Sequence, residues 1–183
     1  MLKSVSATEA IEKLKAGNIA YLNCVTPKGD ISPKMRKYTF ENGQKPYAVI
    51  VGCADSRVIP ESIFSAGIGE LFTIRCAGNV IGDHVLGSIE YAVHHLGCKL
   101  VLVLGHTGCG AVAAASGKNS GYVKFITDEI SGAINLETDP VKASILNIKN
   151  SVKKVENVLS NCEGVKVCGA LYNTDSGVVD FEI

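Results

Sequence analysis

Tyr47-Ala48-Val49-Ile50-Val51, closed by Gly52, is a short β-branched apolar run with no polar alternation. A strand that is apolar on both faces belongs in the middle of a parallel sheet, covered by helices above and below. Working outward, the same signal recurs at Lys99 to Leu104, again closed by a glycine, Gly105, and more weakly at Glu70 to Ile74. Helical patterns separate these runs. Pro60-Glu61 opens a short helix, with proline suited to the first turn. Asp83 can cap a helix running to Leu96, with Gly97 ending it. Further helices are expected near 110–116, within 122–134 and over 140–160, the last beginning at Pro140.

The flanks complete the plan. Ala10, Ile11, Leu14, Ile19 and Leu22 recur at helical spacing behind Thr8 as a cap, giving an N-terminal helical arm. Residues 23–45 carry Pro27, Gly29, Pro33 and Gly43 and read mostly as loop. Val165 to Tyr172 and Val178 to Ile183 flank Asn173-Thr174-Asp175-Ser176-Gly177 and read as a terminal hairpin or two edge strands. Strands alternating with helices specify an α/β fold, a largely parallel sheet flanked by helices, expected as one domain over 1–183. The 183 residues suffice for one substantial core.

Composition narrows the function. Eighteen basic and eighteen acidic side chains cancel, so the excess positive charge of a nucleic-acid binder is missing, as is any pull towards acidic membranes. The longest apolar runs fall far short of the ~20 residues that span a bilayer. Met1 to Ser6 lacks the apolar core of a signal peptide. A soluble, cytoplasmic protein is expected. Its seven cysteines, Cys24, Cys53, Cys76, Cys98, Cys109, Cys162 and Cys168, are an odd count and argue against a disulfide framework. Metal binding or catalysis is the better expectation for some, and packing as small hydrophobes for the rest.

In open parallel sheets ligands bind outside the carboxyl ends of the strands. Two loops leave there: Gly52-Cys53-Ala54-Asp55-Ser56-Arg57 and Gly105-His106-Thr107-Gly108-Cys109-Gly110. They carry two thiols and an imidazole, three good zinc ligands, and three protein ligands leave a fourth place for water or substrate. Asp55 can bind the metal or accept a hydrogen bond beside it, and Arg57 can hold it by a bidentate pair. An ordinary salt bridge tying the loop fits those two residues equally well.

Cys53-Ala54-Asp55-Ser56-Arg57 with His106-Thr107-Gly108-Cys109 resembles the β-class carbonic anhydrases. The likeness runs from about Glu9 to the end. It includes Gly43-Gln44-Lys45-Pro46, Glu70-Leu71-Phe72, Arg75, Ala77-Gly78-Asn79 and Glu90-Tyr91-Ala92. The resemblance implies one zinc ion per chain on Cys53, His106 and Cys109. It implies reversible hydration of carbon dioxide to bicarbonate by attack of zinc-bound hydroxide. Asp55 and Arg57 match the family's catalytic dyad. Gln44, Phe72 and Tyr91 match residues that contact substrate in the plant-like branch. His95 falls where some relatives carry a suspected proton shuttle. A homodimer or homotetramer, with the active site at the dimer interface, is also implied. At Cys76 the chain departs from the family segment, which leaves a spectator thiol or a competing soft ligand. Two other functions remain open at this point: hydrolysis of carbon disulfide on the same ligand set, and a non-enzymatic zinc-holding or redox-sensing protein. The absence of a C-x-x-C pair weighs against the last. No G-x-G-x-x-G follows the first strand, which sets nucleotide binding aside.

Overall fold

The structure, a computed structural model, describes residues 2–24 and 29–183. Five strands form one sheet: β1 (Ala48–Gly52), β2 (Leu71–Arg75), β3 (Leu100–His106), β4 (Lys166–Tyr172) and β5 (Val179–Asp180). Their order is β2-β1-β3-β4-β5. The first four are parallel, and β5 returns antiparallel to β4 with Tyr172 opposite Val179. The expected terminal hairpin is therefore present. From β1 the chain steps outward to β2, then crosses back over β1 to place β3 on its other side. The strand order reverses between β1 and β3, and a crevice opens above their carboxyl ends at such a reversal.

Alternation along β1 feeds two cores. Ala48 and Ile50 join Leu100, Leu102, Leu104, Phe64 and the helix α1 (Ala7–Leu22), which contributes Ala10 and Leu14. Val49 and Val51 face the other way. There they pack with Val101, with Ile89 and Val93 of α4 (Asp83–His94), and with Val155 of α7 (Pro140–Val158). Between these lie α2 (Pro33–Asn42), α3 (Pro60–Ile63), α5 (Gly110–Ala114) and α6 (Val123–Ile134). No helix among the described residues is long and apolar enough to cross a membrane.

Three local expectations are corrected. Residues 23–45 hold a helix that the loop reading lacked: α2 fills ten of the nineteen described there. Ser32 accepts from the Met35 amide as an N-cap, and Pro33 sits in the first turn, so two apparent breakers form a helix start. Pro27 lies outside the described residues. The cap of α1 is Ser6, which accepts from the Glu9 amide at 3.2 Å, and Thr8 lies inside the helix. Gly82 occupies the N-cap of α4, so Asp83 is its first residue and makes no side-chain cap bond. Its charge still suits the positive end of the helix.

The arm is fixed by close approach. Gly17 of α1 lies against the Phe64 backbone, and a Cβ there would collide with the Phe64 carbonyl group. At the next residue, the Asn18 amide donates to the carbonyls of Ile63 and Gly177, and its oxygen accepts from the Val179 amide at 3.0 Å. Gly17→Ala should therefore cost about 3 kcal/mol through overpacking against an unyielding backbone. Thermal unfolding should show a midpoint lowered by about 6–12 °C. An unchanged midpoint would mean that α1 does not rest there.

Candidate metal centre

Cys53 is the first residue after β1, His106 is the last residue of β3, and Cys109 is the N-cap of α5. Because β1 and β3 are neighbours, with Gly52 opposite Leu104, the two loops meet above the sheet. The two sulfurs stand 4.0 Å apart, and the three donor atoms lie within 4.8 Å of one another. All three side chains are buried.

Each donor is oriented by a fixed neighbour. His106 Nδ1 lies 3.0 Å from the Thr107 carbonyl oxygen, which can only accept, so the ring carries its hydrogen on Nδ1. Nε2 then presents a bare lone pair to the two sulfurs. It is buried and makes no hydrogen bond; the nearest carboxylate oxygen, Asp55 Oδ2, is 3.9 Å away, too far for one. Such an orphaned acceptor facing two thiols fits a soft, tetrahedral cation such as zinc. Cys53 Sγ accepts from the Gly78 amide at 3.2 Å and the Asp55 amide at 3.4 Å. The Cys109 thiol and these amides hold Cys53 well below the usual thiol range, while sharing with Cys53 and burial push Cys109 up. A divalent cation between the two sulfurs would favour both as thiolates.

Asp55 and Arg57 form the bidentate pair. Arg57 donates through Nε to Oδ1 at 2.9 Å and through a terminal nitrogen to Oδ2 at 2.7 Å, and its backbone amide adds a third bond to Oδ1. These contacts hold the Asp55 carboxyl far below the ordinary carboxylate range. The same guanidinium donates to the Gly108 carbonyl at 3.0 Å and so ties the first loop to the second. Arg75 has a role that the sequence reading missed. It donates to the backbone oxygens of Cys53 at 3.0 Å and Asp55 at 2.7 Å, fixing the path between ligand and carboxylate. Only the strand register, which sets Arg75 opposite Gly52, places it there.

Four other expected residues are not brought to this cluster within the chain. Gln44 is exposed ahead of β1, at the opposite end of that strand from Cys53, about 13 Å of strand away. Phe72 lies in β2, Tyr91 on α4, and His95 caps the end of α4. Phe72, Tyr91 and His95 form one aromatic row, with successive ring centroids 6.2 and 5.1 Å apart. Cys76 packs beside the metal cluster but is not one of the three converging donors.

The sequence profile of the carbonic anhydrase family matches residues 48–179. The chain belongs to that family. Its β-class is set by the solved structures it resembles. A β-carbonic anhydrase of Aspergillus fumigatus, CafA, is 30% identical, with a TM-score of 0.68 over 80% of this chain and 79% of that one. The Coccomyxa β-carbonic anhydrase, solved in complex with acetazolamide, is 26% identical, with a TM-score of 0.70 over 84% of this chain and 86% of that one. Among curated proteins, carbonic anhydrase 2 of Mycobacterium tuberculosis is 62% identical over 63 residues, 34% of this chain and 30% of that protein. The Mycolicibacterium smegmatis carbonic anhydrase is 50% identical over 70 residues, 38% of this chain and 34% of that protein. The matches thus span about a third of these curated carbonic anhydrases.

The thiols outside the cluster behave differently. Burial pushes Cys98 up to about 11, and its thiol donates to the Pro46 carbonyl. Burial also pushes Cys168 up to about 11. Both stay protonated at pH 8, and only the thiolate attacks alkylating agents. Iodoacetamide at pH 8 should leave both unmodified in native protein while labelling them readily in guanidinium. Peptide mass spectrometry would detect the reverse.

Proposed function

We propose that this protein catalyses the reversible hydration of carbon dioxide, with one zinc ion per chain held by Cys53, His106 and Cys109. The observation that carries the reading is the convergence of two thiols and an unpartnered imidazole nitrogen beside a clamped carboxylate. In the reaction one water adds across one C=O of carbon dioxide, giving bicarbonate and releasing one proton. Bound zinc supplies a Lewis acid that makes water nucleophilic near neutral pH.

The chain's own residues do the rest. Asp55, held ionised, can only accept a hydrogen bond, so it accepts one from the attacking water and turns an oxygen lone pair towards carbon. Arg57 holds both Asp55 oxygens and prevents rotation. Arg75 and the two amides on Cys53 hold the backbone beneath. Gln44, Phe72 and Tyr91 act in this reading on the metal site of a second copy of the chain. Tyr91 is 48% exposed, an apolar ring left for another surface to cover. The Gln44 amide would donate to a bicarbonate oxygen, and the two rings would form the apolar wall that suits carbon dioxide. His95, stacked on Tyr91, would pass the released proton to solvent. In this reading the protein works as a homodimer or homotetramer, with the cytoplasm as its proposed location.

Stopped-flow assays of zinc-loaded protein with carbon dioxide and, separately, carbon disulfide test the assignment. Rapid carbon dioxide hydration is expected. Carbon disulfide hydrolysis without carbon dioxide hydration would replace this substrate with the other.

A further inference from the structure

We propose that Asn147 and Ser151 of α7 are positioning residues for the metal centre, acting through the 77–79 turn on the Cys53 sulfur; this rests on Cys53 being a metal ligand. The turn Ala77–Asn79 is wound in an uncommon way. Gly78 (φ 67°) and Asn79 (φ 47°) are both left-handed, and only glycine adopts that region freely. A Cβ on Gly78 would also stand 2.6 Å from Ile130 Cδ1 and 3.1 Å from the Ala111 Cβ. The turn therefore needs outside support. Asn147 Nδ2 donates to the Gly78 carbonyl at 2.8 Å, and Ser151 Oγ, one helical turn further on, donates to the Asn79 carbonyl at 3.3 Å. Both side chains are only 1% exposed.

Gly78 is thus gripped from two sides. Its carbonyl is held by α7, and its amide points at Cys53 Sγ. An amide hydrogen bond withdraws charge from a thiolate and so tunes what the sulfur gives to a metal. The composition of this spot also points to a purpose beyond packing. Asn147 Oδ1 is buried without a protein partner. A buried amide satisfied on one side only is a poor filler where an apolar side chain would cost less. Its retained donor is the one aimed at the residue that touches the ligand.

The test uses cobalt(II)-substituted protein, whose thiolate-to-metal charge-transfer band reports directly on the sulfur, together with zinc affinity by chelator competition. Asn147→Ala should move the band to longer wavelength and weaken zinc binding about tenfold, within the range for outer-shell partners. Ser151→Ala should shift both in the same direction by less, and it decides the matter if Asn147→Ala fails to fold. Val155→Ala, on the same helix but packed with Val49, Val51 and Val101 and away from the 77–79 turn, serves as the comparison: it should lower the melting temperature and leave the band in place. If Asn147→Ala and Ser151→Ala melt earlier but keep the wild-type band and affinity, or if Val155→Ala shifts the band as they do, the positioning role is overturned. A wild-type protein with no thiolate band at all would overturn the metal reading along with it.

Discussion

Cys53→Ser is expected to lose zinc and, with it, hydration of carbon dioxide. The substitution removes one of three donors, and a serine hydroxyl stays neutral where the thiol becomes an anion. It also strips the Gly78 and Asp55 amides of the sulfur they point at. The fall in zinc affinity should exceed the ~10–100-fold that follows loss of an outer-shell partner. Elemental analysis after dialysis against a weak chelator should find wild-type protein at one zinc per chain and the variant well below. Cys24→Ser, outside the converging group, should retain both zinc and activity. Full zinc occupancy in Cys53→Ser would remove that residue from the ligand set.

Asp55→Asn should separate chemistry from metal binding. The amide matches the carboxylate in shape but offers one oxygen and one NH₂ group. Arg57 now donates to both Asp55 oxygens, and one of those two bonds would face a donor instead. The three metal donors are untouched, so zinc should remain at one per chain. The hydrogen-bond acceptor that orients water would be gone, and misorientation of this kind costs about 100-fold or more in kcat/KM. Arg57→Lys should show the same pattern more mildly, because a lysine cannot make the two-pronged contact. Full activity in Asp55→Asn would mean that the carboxylate ties the loop and does nothing else.

The legible part of the molecule was the part set by local chemistry. The run 47–51 reads as an inner parallel strand, and Gly52 and Gly105, near the carboxyl ends of β1 and β3, marked where loops would leave. Placing Cys53 and His106 after neighbouring strands then followed from fold class. The α2 helix was hidden because serine and proline at 32–33 punctuate loops and also begin helices; nothing local separates the two uses. Arg75 and the Gly78 amide were hidden for a different reason. Their contacts depend on strand register and on a left-handed turn held from α7, sixty-nine residues away at Asn147. Gln44, Phe72, Tyr91 and His95 came from family likeness alone, and in one chain they lie apart from the metal cluster.

Metal-free protein titrated with zinc, with the carbon dioxide hydration rate followed at each step, puts the central assignment to the most direct test. Activity should rise from near zero in proportion to added zinc and break sharply at one equivalent per chain, as one Cys53–His106–Cys109 site per chain requires. Full activity before any zinc is added, or no hydration after one equivalent has bound, would contradict it.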